Sequence, residues 1–437
     1  MYLMQSNPPA SYSGNVINTI YLQDAHGQVQ VLVPGNRMLD LNQLALQLGR
    51  QFSALTHDEL ERIKQRHKLS ELTALPNMDS LVDEHLLQQP ELFIITDENQ
   101  PWQKISGETF RQHTTSSQIG NYSASLTTDV HHLNAHQDLD DVHAAIQQFT
   151  PLRIRQRLAE TLDLPPLPET AKRIIELRVD PKADTVSLAQ AVEMDPGMAA
   201  QVVSWARSPY YGVRGEVKTV EDAVLRVLGF DLVINLALGL ALGRSISVPK
   251  SGPHGYAPYW QQAVVTATLC GELVRAMPSR HRPNAGLAYL CGLLHNFGYL
   301  VLGHIFPPQF SLINRHIEAN PHINRLYIER HLLGMTREQV SGCLMQQWHM
   351  PDELVLATRH QHNPMYTGDH ADYAHLLYVA SRSLRRHGFG DGPFERCEPT
   401  VLDALALREE QVDEITANVL AKRDNLDEMV SMLTNAA

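Results

Sequence analysis

The sequence is poor in cysteine, which excludes several small-domain architectures. Its 437 residues include four cysteines, Cys270, Cys291, Cys343 and Cys397, and no two of them form a CxxC pair. Zinc ribbons, redox dithiols and disulfide frameworks need closely spaced or more numerous cysteines. We therefore predict free, buried thiols in a reducing compartment.

Positive charge and long apolar runs are also scarce. The formal net charge is -12, and an acidic chain disfavours electrostatic binding of nucleic acid over a large surface. A local basic patch remains compatible with this value, because the net charge is an average over the whole chain. The longest apolar segment, Leu236 to Leu242, is far shorter than the roughly 20 residues of a transmembrane helix. The first residues lack the basic start and apolar core of a signal peptide. These features predict a cytoplasmic protein.

Length and composition instead predict a multidomain globular protein. Hydrophobic residues make up 43% of the chain and charged residues 19%, which is enough for ordinary buried cores. Residues 10–113 mix helical and strand patterns. Thr19 to Asp24 and Gln28 to Val33 predict the two strands of a hairpin, with Gly27 in the turn. We predict a small mixed α/β domain here.

The next segment, residues 114–141, is rich in polar residues and has no sustained apolar period. This composition predicts a linker with little regular structure. It contains His131, His132 and His136, which could bind a metal. Because metal sites need several converging ligands at fixed spacing, we favour solvated histidines.

The chain is helical in pattern from residue 142 onward. Asp195 and Pro196 supply an N-cap followed by a proline at the first helical position, and Thr219 to Asp222 resembles a capping box. We predict an all-α domain over residues 142–395 and a helical tail over 396–437. The apolar stripe of the tail favours packing on its own domain over a dimer helix.

Six motifs of the helical region resemble those of HDOD domains, in the same order. They are Leu164-Pro165-Pro166-Leu167-Pro168; Asp195-Pro196 with the segment Ser208 to Gly212; the helix from Val220 to Gly229; Trp260 after Tyr259; His295-Asn296 within GLLHNFG; and Trp348 to Pro351 followed by His360 and His362. The resemblance implies an all-α fold related to the HD phosphohydrolases. It also implies a role in bacterial signalling, mostly without catalysis.

The metal chemistry of HD hydrolases is not supported by the corresponding residues. Such enzymes hold a divalent ion with a His, a His-Asp pair and a distant Asp, and the ion activates a water molecule. Here His295 is followed by Asn296, whose amide carries no charge. The resemblance places the first His in the segment 260–263 and the last Asp in 379–381, and neither segment contains that residue. We therefore predict no metal, no cofactor and no hydrolytic centre.

His360 and His362 allow two interpretations. They could form a pocket with His295 that binds an anion or a nucleotide. They could also be capping or core histidines that donate hydrogen bonds, which is the more common role of buried polar groups. We favour the second, and keep His295, Asn296, His360 and His362 as a candidate ligand pocket.

The N-terminal unit resembles the YbaK-type aminoacyl-tRNA deacylase domain. The resemblance is carried by Thr19-Ile20-Tyr21-Leu22-Gln23-Asp24, Val33-Pro34, Leu39-Asp40-Leu41 and Leu48-Gly49-Arg50. In active members a lysine on the early strand and a glycine-containing loop position the aminoacyl ester. The lysine position is Asn18 here, and the segment His67 to Pro76 has no glycine to allow close backbone approach. We predict that the fold is kept and the deacylase activity is lost.

Together these patterns predict a regulatory, non-catalytic signal-transduction protein that acts by binding a partner protein or a small ligand. One alternative is a metal-dependent phosphohydrolase acting on nucleotides or cyclic dinucleotides. Another is residual editing of aminoacyl-tRNA by the N-terminal domain, with tRNA as its ligand. A homo-oligomer is left open, and neither membrane nor general nucleic-acid binding is expected.

Overall fold

The computed structural model describes residues 15–69, 74–75, 77–94, 103–126, 137–149, 168–212, 216–245, 252–253 and 257–436. The N-terminal domain contains the strands β1 (Ile17–Asp24), β2 (Gly27–Pro34), β3 (Arg37–Leu39), β4 (Ser53–Ala54), β5 (Ser80–Asp83), β6 (Glu91–Ile94), β7 (Gln103–Ser106), β8 (Gln118–Gly120) and β9 (Ser123–Ser125). Its helices are α1 (Leu41–Leu48), α2 (His57–His67), α3 (Glu84–Leu87) and α4 (Gly107–His113).

The predicted hairpin is confirmed and forms the centre of a five-stranded sheet with the order β4-β1-β2-β5-β8. β1 and β2 are antiparallel, and their register runs from Ile17 opposite Pro34 to Asp24 opposite Gly27. Gly27 has a φ of 137°, a conformation that other residues rarely adopt, so glycine is needed at this turn. β5 pairs with β2 and β8 in parallel, which makes the sheet mixed.

Alternating side chains of the hairpin build a core on each face of the sheet. Ile20, Leu22 and Val31 lie on one face and pack with Leu44 of α1. This core also includes Ala319 from the second half of the chain, so the helical domain covers part of the same face. The sheet therefore contributes to the contact between the domains.

The segment 114–141 differs from its prediction. β8 joins the main sheet and β9 pairs with β3, so part of the predicted linker belongs to the N-terminal domain. The strands have three residues each, too few to show an apolar period, and Arg37 binds the hydroxyls of Ser123 and Ser125 at 2.7 and 2.6 Å. Polar contacts take the place of the apolar pattern here. His131, His132 and His136 lie outside the described residues.

The remainder of the described chain is helical, as predicted. The helices are α5 (Asp138–Phe149), α6 (Glu169–Val179), α7 (Thr185–Glu193), α8 (Pro196–Arg207), α9 (Val220–Ala223), α10 (Phe230–Ser245), α11 (Tyr259–Ala276), α12 (Ala285–Leu294), α13 (Phe297–Ile305), α14 (Pro307–Glu318), α15 (Arg325–Leu333), α16 (Arg337–Gln347), α17 (Asp352–His360), α18 (Ala371–Arg386), α19 (Pro399–Ala404), α20 (Glu409–Ala421) and α21 (Arg423–Ala436). A 3-10 turn (Pro209–Tyr211) follows α8, and a π-helical turn (Val224–Leu228) follows α9.

The core of the helical domain is built on α10, α11 and α12. A Cβ atom on Gly292 would lie 2.5 Å from Cα of Ala267, so glycine lets α11 and α12 approach closely. Within the part of the chain that the structure describes, the segment Ala285–His304 is long and apolar enough to cross a membrane, but most of it is buried inside the protein. Such burial is typical of a core helix in a soluble protein.

The C-terminal tail packs on its own domain. α21 contacts α11 and α8, and Leu426 is fully buried in the helical core. The Ser208 hydroxyl donates to the backbone oxygen of Asn425 at 3.1 Å. These contacts agree with the interpretation of the tail as part of the helical domain.

Candidate functional site

His295 and Asn296, the degenerate HD pair, lie at the junction of α12 and α13. Both are nearly buried, with 7% and 5% exposure. Nδ1 of His295 is 2.7 Å from the oxygen of Gly292, and since a carbonyl only accepts, Nδ1 carries the proton. Burial lowers the pKa of His295. The imidazole is therefore held neutral at the end of α12.

A guanidinium group stands directly beside the HD pair. Arg337, at the start of α16, donates to the side-chain oxygen of Asn296 at 2.9 Å. Its Nε and NH2 atoms both lie 2.5 Å from Oε1 of Glu329 on α15. The ring of Tyr299 lies 4.7 Å from the guanidinium carbon. The guanidinium of Arg337 thus lies beside the His295-Asn296 pair, at the position where an HD hydrolase would bind a metal ion.

A second buried arginine extends this charge network. Nε of Arg325 lies 2.6 Å from Asp391, and its NH1 lies 2.7 Å from Glu338. Arg385 binds the other oxygen of Asp391 at 2.9 Å. NH2 of Arg325 is 3.2 Å from Nε2 of His362. Arg325, Arg337 and Arg385 balance Glu329, Glu338 and Asp391 in charge, three against three.

In this network, which we call the arginine network, the pKa shifts favour ionised carboxylates at Glu338 and Asp391, whereas burial raises the pKa of Glu329. Burial alone would raise the pKa of Asp391, but the guanidiniums of Arg325 and Arg385 bring it well below its usual value. The pKa of Glu338 is likewise well below its usual value, because Arg325 outweighs the effect of burial. Burial lowers the pKa of His362 to about 4, so its ring is neutral near pH 7.

Asn296 and His362 both contact the arginine network, and the other two candidate pocket residues have different partners. His362 belongs to the arginine network, and the backbone oxygen of His295 accepts from Gln361 at 2.7 Å. The ring of His360 stacks on Tyr366 with centroids 4.0 Å apart. Asn296 thus meets Arg337, whereas His360 faces another side chain. The prediction of a joint pocket stays untested.

Sequence reasoning missed Arg325, Arg337 and Asp391. Arg325 is followed by Leu326, an apolar position that is buried, and an arginine beside such a position on a helix is a signal that could have identified it. Arg337 lies between Thr336 and Glu338, so its polar neighbours give no sign that it is buried.

Several motif residues cap helices or form turns. Asp195 accepts from the backbone nitrogen of Met198 at 3.0 Å, and Pro196 is the first residue of α8, as predicted. Ser208 accepts from the nitrogen of Tyr210 at 3.3 Å. Gly212 and Gly229 have positive φ angles of 56° and 81°, which favour glycine. These motif positions shape the backbone.

The other motif residues pack or precede helices. Trp260 and Trp348 are buried, at 3% and 9% exposure, and Pro351 precedes α17. Pro168 precedes α6. Leu164, Pro165 and Leu167 lie outside the described residues.

The residues at the HD position do not fit a catalytic metal. Asn296 offers an uncharged oxygen that already accepts from Arg337, and that guanidinium would repel a divalent cation. Across the described residues, three or more His, Cys, Asp or Glu side chains do not converge in a way that could hold a metal ion. No reaction step through a metal can be derived from this arrangement.

Comparison with known proteins decides the family. Residues 164–364 match the model of the HDOD domain, and residues 10–112 match that of the aminoacyl-tRNA editing domain. A "Putative signal transduction protein" from Marinobacter aquaeolei VT8 has 43% sequence identity and a TM-score of 0.91 to this chain, with 98% of this chain and 95% of that one covered. The chain belongs to the HDOD domain family.

Two more distant proteins are similar to this chain, and the first of them shares the HDOD fold. An HDOD domain protein with unknown function from Geobacter sulfurreducens has 17% identity and a TM-score of 0.52, covering 68% of this chain and 99% of that one. An uncharacterized protein from Treponema pallidum (strain Nichols) is 23% identical over 260 residues, 59% of this chain and 49% of that protein. The chain thus spans about half the length of this curated relative.

In this HDOD protein, an asparagine side chain joins the editing-type domain to the HDOD domain. Oδ1 of Asn320 accepts from the nitrogen of Leu39 at 2.7 Å, and its Nδ2 donates to the oxygen of Leu39 at 3.0 Å. Asn320 is 1% exposed. It pairs with β3 much as a neighbouring strand would, and so satisfies both polar groups of one buried residue.

Further contacts surround this pairing. The nitrogen of Leu41 donates to Nε2 of His316 at 3.2 Å, and Nδ1 of His316 lies 2.9 Å from the oxygen of Leu312. Arg315 donates to the oxygen of Phe52 at 2.6 Å. The HDOD domain thus binds β3 and the start of α1 through their backbone and through the side chain of Asp40, which lies 3.2 Å from Nε2 of His331.

In the editing-type domain, Gln30 holds the end of the segment His67 to Pro76, which the resemblance identifies as the substrate loop. This side chain, 2% exposed, donates to the oxygen of Leu75 and accepts from the nitrogen of Leu75, both at 2.7 Å. Asn18 lies on β1 opposite Val33. Residues 70–73 and 76 of the predicted loop lie outside the described residues.

Proposed function

We propose that this HDOD protein is a non-catalytic regulatory protein that acts by binding a partner protein in the cytoplasm. Its family and its similarity to a "Putative signal transduction protein" support a regulatory or HD-related role. The contact between Arg337 and Asn296 carries the non-catalytic part, because an amide stands where a metal-dependent enzyme would need a cation-binding carboxylate, and a guanidinium lies beside it.

Helix α15 supports a regulatory link between the domains. Arg325 and Glu329 on this helix belong to the arginine network. Two residues after Glu329, His331 lies 3.2 Å from Asp40 of the editing-type domain. Arg330 binds Asp141 of α5 at 2.8 Å. A shift of the editing-type domain would therefore act on the helix that borders the degenerate HD position.

Metal content tests the proposal against its phosphohydrolase alternative. Full-length protein, purified without chelator and incubated with Mn²⁺, Fe²⁺ or Zn²⁺ before desalting, would be analysed by mass spectrometry beside His295→Ala. We expect no stoichiometric metal in either protein and no hydrolysis of nucleotides or cyclic dinucleotides. Stoichiometric metal in the natural protein that is lost in His295→Ala would refute the proposal.

Release of free amino acid from charged tRNA tests the second alternative in the same preparation. We expect none, because Asn18 stands where the resemblance places the catalytic lysine. Release above the buffer control, lost on truncation of the editing-type domain, would instead assign editing to this protein.

A further inference from the structure

A cavity of about 340 Å³ lies away from the HD position, between the 3-10 turn, the start of α10, the end of α11 and the start of α12. Its lining includes residues of the segments that carry the family motifs, namely Tyr210 and Tyr211 from the Ser208 to Gly212 motif and Gly229 before α10. The turns at Gly212 and Gly229 therefore shape one side of this cavity, which we call the tyrosine pocket.

The walls of the tyrosine pocket combine aromatic rings with two carboxylates, Asp231 and Glu272, and with Arg275. Tyr210, Tyr211, Phe230 and Tyr289 all line it. The rings of Tyr210 and Tyr211 are nearly perpendicular, with centroids 5.1 Å apart. The hydroxyl of Tyr210 donates to Oε1 of Glu272 at 2.7 Å, which fixes the carboxylate beside the rings.

A glycine keeps the pocket open where packing does not require one. Gly271 lies within α11, and a Cβ atom added to it would meet nothing closer than Cδ2 of Tyr289, at 3.9 Å. By contrast, a Cβ on Gly239 or Gly292 would lie 2.5 Å from a neighbouring atom. Glycine inside a helix is unfavourable relative to alanine. Alanine would fit at position 271 and would favour the helix, yet the residue is glycine. We take the space left by the missing side chain as a sign that a ligand occupies it.

We propose that the tyrosine pocket binds an organic cation, namely the guanidinium or ammonium group of a basic side chain or of a small amine. Aromatic faces attract cations, and a neighbouring carboxylate adds a charge partner. Arg275 of the protein already binds Glu272 at 2.6 Å, but its side chain is 60% exposed. Exposed pairs of this kind are weak, so an incoming cation can displace it.

Matched pairs of charged and neutral probes test the inference. Calorimetric titrations of the full-length protein would compare N-acetyl-arginine amide with N-acetyl-citrulline amide, and choline with 3,3-dimethylbutan-1-ol. The first pair represents a protein side chain and the second a free amine. We expect the cationic member of at least one pair to bind about tenfold tighter than its neutral counterpart. No binding by either cation, or equal binding within both pairs, would overturn the inference.

Substitutions then assign the binding to this pocket. Gly271→Leu should abolish binding of the cation while the protein stays folded, and Gly271→Ala should weaken it and raise the melting temperature. Glu272→Gln should remove the preference for the charged probe. Arg275→Gln should raise the affinity about threefold, since it frees the carboxylate.

Gly342→Ala is the matched control, because Gly342 lies in α16 and a Cβ there would be 3.4 Å from its nearest neighbour. This variant should bind like the natural protein. Unchanged binding in folded Gly271→Leu would place the cation elsewhere and refute the assignment. The test does not depend on the HD position, so its failure leaves the metal measurement valid.

Discussion

Replacement of Asn320 by alanine should uncouple the two domains. The substitution removes the two hydrogen bonds to Leu39 and a third, from Nδ2 to the oxygen of His316 at 2.9 Å. It leaves the buried N–H and C=O of Leu39 without these partners, and each unsatisfied group costs about 1–3 kcal/mol. Because water can form hydrogen bonds with part of these groups, we expect a loss of about 3 kcal/mol in the free energy of unfolding.

Hydrogen exchange and urea denaturation would measure this effect. Exchange should accelerate in β3 and at the start of α1 of Asn320→Ala, and the unfolding midpoint should fall. Asn42→Ala is the control, since Asn42 is an exposed residue of α1 and its change should stay within about 0.5 kcal/mol. If Asn320→Ala shows unchanged exchange at Leu39 and unchanged stability, Asn320 does not hold the domains together.

Three further outcomes follow from the buried polar groups. Asp391→Asn should cost about 3–5 kcal/mol, because it leaves Arg325 with less compensating charge, and a loss below about 1 kcal/mol in urea denaturation would contradict a buried network. Between pH 6.5 and about 4 the unfolded chain takes up a proton at His362 that the folded protein does not. Stability should therefore fall with decreasing pH by up to about 3 kcal/mol from this residue, and His362→Gln should flatten that slope, whereas equal slopes would disprove it. Gln30→Ala should speed proteolysis around Leu75 and cost about 2 kcal/mol, and an unchanged cleavage rate would show that Gln30 does not hold the loop.

Local patterns predicted those parts of the fold that depend on local chemistry. The hairpin was predicted over Thr19 to Asp24 and Gln28 to Val33, within two residues of β1 and β2, because alternation and the turn glycine act over a few residues. Asp195 was predicted as an N-cap for the same reason. The family motifs then identified the HDOD domain.

The remaining features depend on contacts between distant residues. Leu39 and Asn320 are 281 positions apart, so no local pattern could predict their hydrogen bonds. β8 and β9 are too short to show a period. At the HD position, the sequence predicted a missing carboxylate at Asn296 but not the guanidinium of Arg337, which approaches from another helix.

The contact between the domains has the character of an assembly. The HDOD domain recognises Leu39 through Asn320 and the oxygen of Phe52 through Arg315, and both contacts depend on main-chain atoms of the editing-type domain. The hydrogen bonds themselves would survive a change of side chain at Leu39 or Phe52. Both side chains, however, also fill the apolar core that they share with Ala319, and Asp40 contacts His331 through its carboxylate. Divergence of the editing-type surface is therefore restricted at these positions, where a new side chain must still fit the HDOD domain.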